Sequence, residues 1–194
     1  MLYRRLPRPW ATILDWATTV GVAILFVLAF EAEVAKPYQV PSSSMEPTLH
    51  CARPGKWCRG RFSDRVLVNR LTYRFRDPRR GDVVVFNTPP AADRVCDRGG
   101  TYLKRIVGLP GEQISEVRGY VFVDGRPLAE PYVARSQRDT QTHTWPRVPP
   151  SRYFMVGDNR AHSCDSRLWG SVPRSNLIGT VAMRYWPPGR ISLP

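Results

Sequence analysis

Lysine is almost absent from a sequence that is otherwise strongly basic. The chain has 29 lysines and arginines against 16 acidic residues, but only Lys36, Lys56 and Lys104 are lysines. A buried lysine can lose its proton at moderate pH, whereas an arginine effectively cannot. Lys36 and Lys56 lie in polar stretches, while Lys104 lies inside the apolar run TYLKRIVGLPG. Composition alone leaves open whether Lys104 is incidental or serves in proton transfer.

Motifs of nucleic-acid readers and of metal sites are absent as well. No helix-turn-helix or zinc-finger spacing occurs, and the basic residues are not interleaved with aromatics as in RNA- or DNA-binding modules. The cysteine pair in CARPGKWC has no matching second pair, so a zinc site is disfavoured. We therefore expect no nucleic-acid partner, no metal and no cofactor. The net charge of +13 is then a solvated surface, which could also face an anionic membrane.

Cysteine is scarce, and its four copies could form two disulfides. The four are Cys51, Cys58, Cys96 and Cys164. Three pairings are possible, and the sequence does not select one of them. The Pro-Gly step in CARPGKWC allows a turn, which makes a small loop bridged between Cys51 and Cys58 a plausible element.

One apolar run is long enough to cross a membrane. Residues 10–30 read WATILDWATTVGVAILFVLAF, and Asp15 is their only charged residue. Twenty-one helical residues at about 1.5 Å each span a hydrocarbon core of about 30 Å. The following FEAEVAKP places glutamates where a signal-peptide cleavage site needs small residues. We therefore expect an uncleaved, single-pass anchor.

Basic residues before this run predict its orientation. They are Arg4, Arg5 and Arg8. Positive residues favour the cytoplasmic side, so residues 1–9 are expected in the cytoplasm. Residues 31–194 are then expected on the outer or periplasmic side of the inner (plasma) membrane, where disulfides can form.

The remainder of the chain has the character of a β domain. Its many prolines and glycines favour short elements joined by turns. Residues 64–75, DRVLVNRLTYRF, look like a strand, and residues 83–86, VVVF, form an apolar strand after a Gly-Asp turn. The run around Lys104 predicts another strand, on which Lys104 shares a face with Tyr102 and Ile106.

Later segments predict hairpins and a surface excursion. Turns at Gly119 and at Asp124-Gly125 separate alternating segments. Residues 129–150 are polar and rich in proline, which predicts an excursion over the surface. Only the anchor is predicted as a long helix, so we expect a mainly β, antiparallel domain.

The stretch PSSSMEPTL at residues 41–49 is either a linker or the home of a nucleophile. A Ser/His/Asp triad could draw on His50 or His162, whereas His143 lies in the polar excursion, but no G-x-S-x-G elbow is present. A Ser-Lys pair is the alternative, and it needs a lysine in apolar surroundings. Lys104 meets that condition, because burial favours the neutral amine that can accept a serine proton.

Four segments together resemble a known family. After an N-terminal anchor, PSSSMEPTL, RRGDVVVF, YLKRIVGLPGE and GDNRAHSCDSRLWGSVP follow in this order. They resemble the successive sequence boxes of type I signal peptidases (leader peptidases), membrane-anchored Ser-Lys endopeptidases. The resemblance covers roughly residues 41–172. It implies a signal-peptidase type β catalytic domain, in which residues 113–152 form a reduced cap.

The resemblance implies a role for each matching residue. Ser44 matches the nucleophile and Lys104 the general base. The Ser42 hydroxyl and the Ser44 backbone N–H match the oxyanion hole. Ser163 matches a serine that hydrogen-bonds and orients the lysine.

Further residues match supporting positions. Asp165 and Arg167 match a charged pair beside the site, and Met45 matches a residue that packs behind the nucleophile. The loop residues Asp158, Asn159 and Arg160 match an architectural segment. His162 and Cys164 depart from the family pattern on either side of Ser163.

The function implied by the resemblance is removal of N-terminal signal peptides from secreted preproteins after small-x-small sites. The implied partners are signal peptides and membrane lipid, with the secretion machinery left open as a third. Two alternatives remain at this point. One is a conjugation-type maturation peptidase with a single dedicated substrate. The other is a non-catalytic, basic binding module tethered to the membrane.

Overall fold

The computed structural model describes residues 8–96 and 99–193. Four helices are α1 (Arg8–Glu33), α2 (Thr72–Phe75), α3 (Pro90–Cys96) and α4 (Ser166–Trp169). The strands are β1 (Ala35–Gln39), β2 (Arg65–Asn69), β3 (Val83–Asn87), β4 (Thr101–Gly108), β5 (Ile114–Val117), β6 (Tyr120–Val123), β7 (Arg126–Pro127), β8 (His143–Thr144), β9 (Arg152–Val156), β10 (Val172–Pro173) and β11 (Leu177–Trp186).

Helix α1 contains the apolar run. Its window Trp10–Phe30 has a mean hydropathy of 2.1 and is long and apolar enough to cross a membrane. Tryptophan, leucine and phenylalanine side chains along it are exposed, as expected of a helix whose apolar surface faces lipid. Arg4 and Arg5, which predicted its orientation, lie outside the described residues.

The strands form two antiparallel sheets, which confirms the predicted fold class. Seven strands form the main sheet in the order β1-β2-β11-β3-β4-β9-β10. Four short strands form a second sheet in the order β7-β6-β5-β8. The predicted turns at Gly119 and Asp124-Gly125 connect β5 to β6 and β6 to β7. The second sheet lies within residues 113–152.

The main sheet is covered on both faces. In β3, Val83 and Val85 point into one apolar cluster, while Val84 and Phe86 point into another. This assignment follows from the alternation of side chains along a strand. A third cluster, which includes Ile114 of β5 and Phe154 of β9, joins the two sheets. Each strand is thereby fixed against its neighbours by burial of apolar area.

Two sequence predictions about segments need correction. The strand predicted over residues 64–75 ends at Asn69, because the Asn69 side-chain oxygen accepts the backbone N–H groups of Leu71 and Thr72 and starts α2. Residues 129–150 are not a purely superficial excursion. Trp145 and Val148 of this segment are buried in the third apolar cluster, so the segment packs against the body of the domain.

Two disulfides cross-link the domain. Cys51 pairs with Cys58, which confirms the predicted small loop. Cys96 at the end of α3 pairs with Cys164, a pairing that the sequence left open. The second bridge ties α3 to the polar loop that precedes α4.

Candidate active site

Ser44 lies on a short turn directly after the first strand. Residues Ser43–Met45 form one turn of 3-10 helix. Met45 is only 1% exposed and packs in the apolar cluster that includes Val40 and Leu49. The buried methionine fixes this turn to the core, so the Ser44 hydroxyl is held at a defined position.

Lys104 reaches this hydroxyl from β4. Its Nζ donates a hydrogen bond to Ser44 Oγ over 2.5 Å. The Ser42 and Ser44 hydroxyl oxygens lie 3.2 Å apart. The structure therefore brings the serine segment and the unusual lysine together, although 60 residues separate Ser44 from Lys104.

The surroundings of Lys104 favour its neutral form. The side chain is buried, and burial lowers its pKa from 10.5 to about 8, against the opposing charges of Asp165 and Asp158. Tyr102 on the same strand face places its ring centroid 5.4 Å from Nζ. A neutral amine that hydrogen-bonds a serine hydroxyl can act as its base.

Asp165 and Arg167 form a charged pair close enough to Lys104 to affect its pKa. Arg167 Nε lies 2.9 Å from one Asp165 carboxylate oxygen, and its terminal nitrogen lies 3.0 Å from the other. Burial alone would raise the pKa of Asp165, but the charge of Arg167 holds it below its usual value. Asp165 also accepts the backbone N–H of Gly157. This bidentate geometry fixes both side chains.

Ser163 does not make the hydrogen bond expected from the sequence. Its hydroxyl is buried and forms no hydrogen bond of ordinary geometry within the described chain. It lies against Gly157, where a methyl group would come within 2.2 Å of Ser163 Oγ and 2.5 Å of the Ser44 carbonyl oxygen. Ser163 acts on the Asp165 carboxylate instead. Burial raises the pKa of Asp165, Arg167 lowers it, and Ser163 lowers it further by a smaller amount.

The loop after β9 holds the Ser43–Met45 turn in place through its backbone carbonyls. The Asn159 side-chain amide donates to the Ser43 carbonyl over 3.1 Å, and the Asn159 backbone N–H donates to the Ser44 carbonyl over 3.0 Å. Asp158 forms a bidentate pair with Arg105, with distances of 2.9 and 2.7 Å. These contacts hold backbone and side chains in place, in keeping with the architectural role that the resemblance implies for this loop.

The four-stranded sheet and the segment between its strands β7 and β8 contribute charges that the sequence did not reveal. Glu130 forms a buried ion pair with Arg160. Asp139 pairs with Arg167 over 2.5 Å, and Glu116 of β5 lies 3.7 Å from the same guanidinium. Carboxylates from residues 113–152 therefore reach Arg160 and Arg167, which follow β9 in the sequence. Their spacing in the sequence offers no signal for these contacts, since 28 residues separate Asp139 from Arg167.

The histidines are engaged elsewhere. His50 binds the Glu46 carboxylate, and His143 is exposed against Trp145. His162 Nδ1 lies 3.2 Å from the Asn159 side-chain oxygen. In the described part of the chain, none of them hydrogen-bonds Ser44, so the geometry supports the Ser-Lys arrangement over a histidine-based triad.

A groove leads to the two reactive groups. It is a cavity of about 330 Å³ lined on one side by residues 38–42 and on the other by residues 101–104. Strand β1 is the edge of the main sheet and pairs with β2. The pairing of β4 with β9 begins only at Arg105. Two backbone edges therefore border the groove, and an extended peptide could pair with them.

Comparisons with known proteins identify the family of this chain. The family model described as signal peptidase, peptidase S26, matches residues 13–186. A Synechocystis protein named probable signal peptidase I-2 is 37% identical over 95% of this chain and 78% of its own length. Signal peptidase I of Leptolyngbya laminosa is 35% identical over 95% of this chain and 85% of its own length. A crystal structure of an Enterococcus faecalis signal peptidase I aligns with 55% of this chain and 97% of that chain, at 30% identity and a TM-score of 0.45.

Proposed function

The chain belongs to the signal peptidase family, peptidase S26, and we propose that Ser44 and Lys104 are its catalytic nucleophile and general base. As a member of this family it is a serine endopeptidase that removes signal peptides from preproteins. The observation that carries the residue assignment is the 2.5 Å hydrogen bond between the buried Lys104 amine and the Ser44 hydroxyl. No other lysine of the described chain contacts a serine hydroxyl.

The proposed reaction begins with proton transfer from Ser44 Oγ to the neutral Lys104 amine. The serine oxygen attacks the scissile carbonyl and forms a tetrahedral intermediate. The Lys104 ammonium then protonates the departing amine, which leaves an acyl-enzyme ester on Ser44. Water, deprotonated by Lys104, hydrolyses that ester and restores the serine.

Ser42 and Ser44 are proposed to stabilise the developing oxyanion. The Ser44 backbone N–H and the Ser42 hydroxyl are the donors. The 3.2 Å separation of the two hydroxyl oxygens supports this role for Ser42. A single donor of this kind contributes about 3–4 kcal/mol to transition-state stabilisation in other enzymes.

Asp165, Arg167 and Ser163 are proposed as supporting residues. A lone buried carboxylate beside Lys104 would raise the pKa of the lysine and keep it charged. The bidentate contact with Arg167 compensates the charge of Asp165. Met45 is proposed to keep the nucleophile turn rigid from the core side.

The substrate is proposed to bind as an extended strand between β1 and β4. Shallow apolar pockets beside these edges would accept small side chains at the first and third positions before the cut. Exposed backbone groups provide affinity in this binding mode, and the pockets provide specificity. The general name signal peptidase I of the relatives favours a broad range of preproteins over one dedicated partner.

The membrane arrangement is also a proposal. Residues 10–30 would cross the inner membrane once, with residues 1–9 in the cytoplasm and residues 31–194 as the outer catalytic domain. Residues 113–152 would form the reduced cap. Contacts with lipid and with the secretion machinery belong to the same proposal, supported by the apolar helix α1.

Cleavage of a preprotein by the detergent-solubilised full chain tests the function. The substrate carries an Ala-x-Ala site, and a Ser44→Ala variant is measured beside the wild type. We expect cleavage after the second alanine by the wild type only. Cleavage retained by a folded Ser44→Ala variant would overturn the assignment of the nucleophile.

A further inference from the structure

The loop closed by the Cys51–Cys58 disulfide presents a tryptophan to solvent. We call residues 51–58 the disulfide loop. Trp57 is 55% exposed and has φ of 65°, a left-handed conformation that is uncommon for residues with bulky side chains. Such conformations persist where the surroundings impose them, and they are frequent at ligand sites. The adjacent disulfide supplies that constraint here.

The tryptophan lies at the catalytic end of the groove. Its ring contacts the ring of His162, with 4.0 Å between centroids. His162 lines the same groove as Ser44 and Lys104. It is also held to Asn159, the residue that supports the nucleophile turn. Trp57 and His162 therefore form an aromatic wall beside the reactive pair.

The direction of the strands places this wall after the cut. Strand β1 leads from the end of α1 to Ser44, and β4 leads from Thr101 to Lys104. The groove residues of these strands thus approach the catalytic pair from the side of the anchor. A signal peptide that emerges from the membrane must occupy that side. The chain beyond the scissile bond must then leave past Ser44, where the aromatic wall stands.

The disulfide loop also carries uncompensated positive charge. Arg53 and Lys56 are exposed, and neither forms an ion pair within residues 8–96 and 99–193. The carboxylates nearest in sequence are Glu46 and Asp64, and both are fully buried. An incoming peptide would therefore meet cations and an aromatic face, with no exposed carboxylate in the loop to repel an acidic group.

We propose that Trp57, His162, Arg53 and Lys56 form a subsite for the first residues of the mature protein, and that this subsite favours acidic side chains there. The inference rests on the proposed function, since it needs Ser44 as the point of cleavage. Trp57 supplies contact area for the peptide, while the two cations select its charge. Opposite charges near a surface attract at separations below about 8–10 Å at moderate ionic strength.

Three peptides with the same signal region test the charge preference. They carry two aspartates, two serines or two lysines within the first four residues after the cut. For the wild type at low salt we expect kcat/KM about ten-fold higher for the aspartate peptide than for the lysine peptide, because exposed charge pairs contribute modestly. Equal values for the two charged peptides would overturn the inference. Cleavage of the serine peptide, absent in Ser44→Ala, tests the proposed function separately, and if wild type cleaves no peptide both fall together.

A charge reversal at the loop locates the effect. The double variant Arg53→Glu and Lys56→Glu should remove or reverse the preference and should still cleave the serine peptide. The control Arg126→Glu and Arg135→Glu makes the same change in net charge on exposed residues of β7 and of the segment between β7 and β8. It should keep the wild-type preference. A preference unchanged in the loop variant, or lost equally in the control, would overturn the assignment to the disulfide loop.

The aromatic wall is tested with peptide length. Trp57→Ala should raise KM about three-fold or more for a peptide that extends six residues beyond the cut, as expected when a contact surface is lost. The increase in KM should be clearly smaller for a peptide that ends one residue beyond the cut, because that peptide leaves most of the subsite empty. An equal change for both lengths would indicate a purely structural role for Trp57 and would overturn its place in the subsite.

Discussion

Asn159 binds the backbone carbonyl of Ser43 through its side-chain amide, across 116 residues of sequence. The same carbonyl also accepts the N–H of Glu46. Its second hydrogen bond thus comes from a loop that also contacts the Ser44 carbonyl. The position of Ser44, the proposed nucleophile, is therefore set from outside its own turn.

Asn159→Ala should reduce activity more than it reduces stability. Ser43 keeps one hydrogen bond, so the loss of stability should be about 1 kcal/mol. A small displacement of the nucleophile can lower the rate by up to about a hundred-fold. Steady-state kinetics and thermal unfolding measure the two effects. Asn176→Ala is the matched control, because it removes a side-chain amide bond to a backbone carbonyl, that of Asn87, which does not belong to the Ser43–Met45 turn, and it should leave kcat/KM unchanged.

The pH dependence of cleavage should follow Lys104. Burial lowers the pKa of Lys104 to about 8, and only the neutral amine can accept the serine proton. The value of kcat/KM should therefore rise with pH and level off above about pH 8, with a ten-fold fall per unit well below that point. Lys104→Arg should lose activity by at least about a hundred-fold, since an arginine stays protonated. A flat profile between pH 6 and 10 would contradict the role of Lys104.

Lys104 should also make the fold less stable below pH 8. The unfolded chain protonates this lysine up to its usual pKa of 10.5, whereas the folded chain releases the proton at about 8. Below pH 8 both states are protonated and the full cost of burying the charge is present. Between pH 8 and 10.5 the unfolded state holds more protons, so stability rises with pH.

The free energy of unfolding of Lys104→Met at pH 7 should therefore be higher than that of the wild type, by up to about 3 kcal/mol. The difference should shrink as pH rises from 8 toward 10.5. Denaturant unfolding at several pH values measures it. A difference that stays constant over this range would show that Lys104 is not desolvated as described.

Loss of the Asp165 charge should move the pH profile to lower values. Asp165 raises the pKa of Lys104 against the larger effect of burial, and Arg167 lowers it. Asp165→Asn removes the negative charge and leaves the positive charge of Arg167 uncompensated near Lys104. The midpoint of the kcat/KM profile should therefore fall below pH 8. The variant should also lose several kcal/mol of stability, because an arginine is left buried without its partner.

Asp77→Asn provides the control for this experiment. Asp77 pairs with Arg174 at a far more exposed position, so this variant should keep both the midpoint and the stability. The profile of kcat/KM is the measurement, taken after circular dichroism has shown that Asp165→Asn is folded. A midpoint that rises in Asp165→Asn would contradict the described balance of charges.

Local patterns predicted the elements that carry the site. The apolar alternation around Lys104 predicted a strand, and the structure places Lys104 in β4 with Tyr102 and Ile106 on the same face. The four ordered segments predicted which serine and which lysine meet. These predictions succeeded because strand periodicity and short motifs are properties of contiguous residues.

Contacts between distant segments could not be predicted in this way. The pairing of Cys96 with Cys164 and the reach of Asp139 to Arg167 depend on how the sheets pack together. Periodicity assigns a side chain to a face but does not identify its partner. The hydrogen bond expected between Ser163 and Lys104 is absent from the described residues, and the supporting role of Ser163 stays a prediction.

The short connection from α1 to Ser44 limits how far the serine can lie from the end of the helix. Ser44 follows Glu33 by eleven residues, so it can lie no more than about 40 Å from the end of the helix. Most of this connection is β1, which is held in register with β2. One inserted residue would turn every side chain of β1 to the opposite face. The distance from the end of α1 to Ser44 is therefore set mainly by the register of β1 with β2 and not by a flexible linker.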